Sequence, residues 1–183
     1  MTRARDMANI AAGSFNIPSG SLTNAVPADG SITAAKLASN AITSAALPSG
    51  TVLQVVEGRS AASSFTPSAL DTYEDIGLSV AITPSSNSSK IFVTFTTGIT
   101  GNNTAHMNTR LLRNSTAIHY TMQYFSGAHW QGANGASVIL DTPATTSAVT
   151  YKVQCFQDSG NVGNGIWDYN GAVSSIVAME IAG

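Results

Sequence analysis

Charged side chains are scarce in this sequence: Asp, Glu, Lys and Arg make up 10% of its 183 residues, against roughly 25% in an average soluble protein. Ser, Thr and Asn must therefore supply most of the polar surface, and contacts made by such a surface depend little on salt. Eight Lys plus Arg against ten Asp plus Glu give a formal net charge of -2. No basic stripe of the kind that neutralises phosphates is present, which argues against nucleic acid and anionic membrane surfaces as partners. No apolar stretch approaches the ~20 residues that cross a bilayer as a helix, and Met1-Thr2-Arg3-Ala4-Arg5-Asp6 is not followed by a signal-peptide core. The expectation is a chain made in the cytoplasm and not inserted in a membrane.

Residue groupings that carry chemistry are missing too. Cys155 is the sole cysteine, so no intrachain disulfide can form. It lies in the alternating run Val149-Thr150-Tyr151-Lys152-Val153-Gln154-Cys155-Phe156, where a free thiol packs as a small hydrophobe. His106, His119 and His129 have no histidine partner at i+2 or i+4, the spacings that let one strand or helix face hold a metal. Glu74 and Asp75 are adjacent, so on a strand they point to opposite sides and do not converge as an acid and base pair must. A nucleophile elbow is likewise absent. The expectation is a protein that is not an enzyme, with no cofactor and no metal ligands.

What is present begins with a repeat. Gly20-Ser21-Leu22-Thr23, Gly30-Ser31-Ile32-Thr33, Asn40-Ala41-Ile42-Thr43 and Gly50-Thr51-Val52-Leu53 stand in register every ten residues, with Leu37 and Leu47 halfway between. The register from Ile32 onward is a pentad. A spacing of five suits neither the 3.6-residue turn of a helix nor the two-residue period of a strand. Ordering ten backbone residues costs about 10–20 kcal/mol, whereas burying two aliphatic anchors returns about 3–6 kcal/mol. One copy therefore cannot order itself. Several chains wound about one axis can share Leu22, Ile32, Leu37, Ile42, Leu47 and Val52 as a common core, so residues 14–50 are expected to form a homotrimeric stalk. Residues 1–13, with Arg3 and Arg5 beside Met7 and Ile10, are expected to anchor it to another protein.

From residue 51 onward, short runs rich in β-branched and aromatic residues alternate with turn clusters, the pattern of an antiparallel β-sandwich or jelly roll. Eight strands are expected: 52–57, 78–83, 90–97, 108–113, 116–125, 137–141, 149–156 and 174–181. Residues 84–89, 114–115, 126–135, 142–147 and 158–165 read as surface loops. In Lys90-Ile91-Phe92-Val93-Thr94-Phe95-Thr96, Ile91, Val93 and Phe95 share one side while Phe92 is apolar on the other. One face is expected to meet the core and the other a neighbouring subunit. The chain is thus read as all-β, with a sandwich head over residues 51–183.

Longer words in the sequence point further. Tyr73-Glu74-Asp75-Ile76-Gly77-Leu78-Ser79-Val80-Ala81-Ile82-Thr83-Pro84, Leu112-Arg113-Asn114-Ser115-Thr116-Ala117-Ile118, the run from Leu140 to Gln154 and Ser175-Ile176-Val177-Ala178-Met179-Glu180-Ile181 resemble segments of phage tail-fibre proteins. Thr2-Arg3-Ala4-Arg5-Asp6-Met7-Ala8-Asn9 and Gly30-Ser31-Ile32-Thr33-Ala34-Ala35-Lys36-Leu37-Ala38 are similar to the N-terminal halves of such fibres. The resemblance implies a trimeric attachment fibre on the virion surface, synthesised in the host cytoplasm and joined through its N-terminus to a tail or baseplate protein. Its distal head would recognise a host-surface glycan or protein. A capsid decoration or head-fibre protein of the same build is the alternative, and a polysaccharide depolymerase a third.

Two loops suit a sugar ligand. His129-Trp130-Gln131 and Trp167-Asp168-Tyr169-Asn170 combine aromatic faces, which pack on sugar CH surfaces, with amide and carboxylate hydrogen-bonding groups. Gly127, Gly132, Gly165 and Gly171 around them leave room for exposed rings.

Overall fold

Alternation of inward apolar and outward polar side chains resolves into nine strands in the computed structural model, which describes residues 46–60, 64–159 and 164–183 together with Thr33 and Ile42. They are β1 (Val52–Arg59), β2 (Glu74–Ile82), β3 (Lys90–Gly101), β4 (His106–Arg113), β5 (Thr116–Tyr124), β6 (Gln131–Asp141), β7 (Val149–Gln157), β8 (Gly165–Trp167) and β9 (Ser175–Ile181). All belong to a unit running from Ile42 to Gly183. The chain in this unit is all-β, in two antiparallel sheets.

The first sheet has the order β1-β9-β3-β6, with β8 also paired to β3, and the second the order β2-β7-β4-β5. Successive strands change sheet at every step from β1 to β7 except the β4–β5 hairpin. Leaving the short β8 aside, this is the strand order of a jelly roll, in which two Greek keys wind a double sheet. The core lies between the sheets. Ile91, Val93, Phe95 and Ile99 of β3 and Ile176 and Ala178 of β9 face Leu78, Val80 and Ile82 of β2, Met107 and Leu111 of β4, and Val149, Tyr151, Val153 and Cys155 of β7. Within each strand these residues are two or four apart because successive strand side chains point to opposite faces. Cys155 is buried and burial pushes its thiol up to about 12.

Backbone hydrogen bonds from Gly50 N to Ala182 O (2.8 Å) and from Ala182 N to Thr51 O (2.8 Å) fasten the start of β1 beside the end of β9. β3 then runs from this basal end, where Lys90 opposes Ile181, to the opposite end, where Gly101 opposes Gln131.

Several strands differ from expectation. β2 starts at Glu74 rather than at 78, because the ladder to β7 continues past an irregularity between Asp75 and Leu78. Residues 131–135, expected to be loop, form the first part of β6, and β8 occupies part of a second expected loop. The anchor segment 1–13 and the stalk residues Leu22, Ile32 and Leu37 lie outside the described residues. Ile42 and Val52 are exposed and Leu47 half-buried in the isolated chain.

Candidate ligand-binding site

The far end of β3 is where the two aromatic loops meet. β3 is flanked there by β6, with Gly98 opposite Asn134 and Thr100 opposite Gly132, and by β8, with Ile99 opposite Trp167. Trp130 immediately precedes β6, and Tyr169 follows β8 by two residues, so the two rings approach from either side of β3. They lie parallel, with centroids 6.3 Å apart and 4° between planes, within the roughly 4.5–7 Å range over which aromatic pairs interact. Trp130 is 51% exposed and Tyr169 53%.

Tyr169 also borders an open cavity of about 230 Å³. Gly98, Ile99 and Thr100 of β3 and Gly132, Ala133 and Asn134 of β6 line it, with Ala172 closing the side next to Tyr169. Its lining holds no charged side chain; the polar groups it offers are the Thr100 hydroxyl, the Asn134 amide and the Tyr169 phenol. The volume falls below the roughly 300–1,000 Å³ of drug-sized sites and has room for no more than a single small ring.

Trp167 does not join this surface, and the expectation that its ring is displayed is corrected. Its side chain is 0% exposed, because it sits on β8 and is locked into a two-way backbone bridge with Phe65, N to O at 2.8 Å in each direction. Asp168 is also buried. Its backbone N donates to Gly98 O at 2.9 Å and its Oδ1 accepts from the Ser174 hydroxyl. Asp168 adopts φ 54°, which turns the chain from β8 into a single 3-10 turn over Tyr169–Gly171. Asp168 and Trp167 thus hold Tyr169 in place from behind. A Cβ at Gly98 would stand 3.1 Å from the Ala172 Cβ, so glycine there is what lets this turn lie close on β3.

His129 and Asn170 are exposed beside the pair, and Gln131 is exposed as the first residue of β6. The loop that carries His129 and Trp130 is tied down by Asn103 N donating to Gly127 O at 2.8 Å and Phe125 N to Ala105 O at 2.9 Å. Of the seven sequence candidates, five therefore lie at the surface and two beneath it. The residues that line the cavity, Gly98, Thr100, Asn134 and Ala172 above all, carry no signal in the sequence, since it is strand pairing that brings them together.

Elsewhere, Glu74 accepts from Ser68 Oγ at 2.7 Å and Ala69 N at 2.8 Å. Asp75 accepts from Lys152 Nζ at 2.8 Å and Gln154 Nε2 at 2.6 Å. Both carboxyls are held below their usual range: Glu74 by the Ala69 and Ser68 bonds, and Asp75 because its bonds to Lys152 and Gln154 together outweigh burial. The two carboxylates thus accept from separate sets of donors. On the outer face of the second sheet the Arg110 guanidinium lies 3.8 Å from the centre of the Tyr73 ring, with Phe156 packed on the same ring at 5.0 Å. Among the described residues no group of three or more His, Cys, Asp or Glu converges. Neither a protein-family model nor a curated protein matches the sequence.

Proposed function

We propose that this chain is a structural virion protein of the phage-fibre type, assembled as a homotrimer, whose jelly-roll head binds a neutral sugar of a host-surface glycan at the Trp130–Tyr169 pair. The observation that carries the ligand reading is that pair: two half-exposed rings, parallel and 6.3 Å apart, beside an uncharged cavity of about 230 Å³. Exposed aromatic faces strip water from the CH faces of a sugar ring, while the Thr100 hydroxyl and Asn134 amide provide hydrogen bonds to its hydroxyls. An uncharged lining suits neutral sugars over sialic or uronic acids. The site lies at the end of β3 opposite the one where the chain enters β1, which fits a head displayed outward from an N-terminal attachment. The virion assignment draws on the resemblance of the sequence to tail fibres.

The test is a binding screen of the purified protein on an array of bacterial surface polysaccharides and their oligosaccharides. Trp130→Ala and Tyr169→Ala are expected to lose binding at least tenfold with an unchanged melting temperature. Trp167→Ala is expected to lower the melting temperature instead. Binding that survives both surface substitutions would reject the site, and shortening of the polysaccharide during incubation would replace binding with hydrolysis. Antibody labelling of virions, read by electron microscopy, is expected to mark the tail; signal over the shell would make the protein a capsid fibre.

A further inference from the structure

The first sheet carries a second surface feature, away from the aromatic pair. On its outward face the ladder aligns Val55 with Met179, Met179 with Phe92, and Phe92 with Leu140. One unbroken apolar row therefore crosses all four main strands. The next row outward along β3 puts Val177 and Val138 on either side of Thr94, and towards the base Val52 lies against Ile181. Val138 is 60% exposed and Leu140 56%. From Thr96 onward the same face turns polar and small, with Ser175 and Ala136 on either side of Thr96 and the glycines of the cavity beyond. The opposite outward face, on the second sheet, also exposes Tyr120, Met122 and Tyr124, but two of these three carry a phenol and they share the face with the Asp75–Lys152 ion pair and Arg110.

We infer that two further copies of this chain cover the basal, apolar half of this face, so that the first sheets of three heads meet around a common axis. Three observations choose this occupant. The ten-residue register of the sequence ends at Val52, and Val52, 49% exposed, stands on this same face beside Ile181, next to the row Val55-Met179-Phe92-Leu140. The only charged side chains in these rows, Lys90 and Glu57, stand at their margins, so like copies can meet without burying like charges. The area is informative as well. Four strands at about 4.8 Å spacing and five or six residues at about 3.4 Å give a plaque of roughly 350–400 Å². That falls short of the roughly 800 Å² per partner of a stable interface, so the heads need the repeat that precedes them to complete the contact.

The inference rests on the homotrimer in the proposed function and is independent of what the head binds. Light scattering on the full chain after gel filtration is expected to give three chain masses. Val138→Asp combined with Leu140→Asp is expected to give one chain mass with the β circular-dichroism spectrum retained. Met122→Asp on the opposite sheet, where Met122 is 66% exposed, is expected to leave three. Single Leu140→Cys, made without disturbing the charge, is expected to resist a bulky maleimide in the native assembly and react after denaturation. A three-chain double variant, rapid labelling at that position, or dissociation by Met122→Asp would overturn the assigned face while leaving the trimer standing. A monomeric wild-type protein would overturn both, and would mean that the N-terminal segment of the same chain covers the face.

Discussion

Glu180 shows how much one buried carboxylate can organise. It is fully buried on β9 and accepts from Gln54 Nε2 at 2.6 Å and from Ser85 N, Ser85 Oγ and Ser89 Oγ, each at 2.7 Å. It therefore ties β1, β9 and the β2–β3 turn together at the base of the sheets. Burial alone would push its carboxyl up, yet the four donors together hold it below the usual glutamate value of 4.5. A carboxyl whose pKa is lowered by folding contributes stability that is present above the unfolded value and lost as pH falls through the folded one. Unfolding free energy is thus expected to be flat near neutrality and to decline as pH drops below about 4.5. Glu180→Gln, which loses the charge and faces donors with a donor, is expected to cost about 2–4 kcal/mol at pH 7 and to flatten the acid slope; denaturant titrations at several pH values check both. Nothing in Val177-Ala178-Met179-Glu180-Ile181 announces this role. Strand alternation would assign a lone Glu to solvent, and its burial depends on a turn 91 to 95 residues away in sequence. Cys155, by contrast, was legible as a buried thiol because its alternating neighbours carry the inward face.

At the scale of strands, the sequence showed most where alternation is regular and side chains are β-branched, as in β3, β7 and β9. It misled where glycine stands inside a strand. Gly132 and Gly135 marked residues 126–135 as loop, yet β6 runs through both, paired with β3 over its whole length. At Gly135 the reason is a close approach: a Cβ would stand 2.6 Å from Thr97 Oγ1 and 2.9 Å from Ile99 Cδ1. At Gly132 a Cβ would meet nothing within 4 Å. Gly135→Ala is therefore expected to destabilise the head by about 1–3 kcal/mol, and Gly132→Ala to change stability by less than about 0.5 kcal/mol. Chemical denaturation of the two variants reads the difference; equal effects would mean that β6 does not lie as close to β3 as described. β8 escaped notice for a different reason. Three residues are too few to show a period, and the glycines around Trp167 allow either a displayed or a packed ring, a choice made by its partners Ile99 and Phe65 far off in the sequence. The aromatic pair itself was half visible: composition singled out both loops, but their meeting depends on β6 and β8 flanking one strand.

At the scale of the whole molecule, the first sheet of the head has a four-strand apolar row that no other described residue covers, and the sequence before it repeats every ten residues with few apolar anchors per repeat. Both lie on either side of Val52, and the proposed trimer would answer both through lateral association of identical chains. This coupling has a kinetic consequence. If stalk and heads hold one another, a protease that cleaves after Arg and Lys meets one site within residues 14–50, at Lys36, and that site is protected as long as the heads stay together. Limited trypsin digestion followed by mass spectrometry is expected to leave the Lys36–Leu37 bond intact in the wild-type assembly and to cut it quickly in the Val138→Asp, Leu140→Asp variant, although the substitutions lie a hundred residues downstream. Rapid cutting in both proteins would show the repeat to be a linker that gains nothing from the head contact.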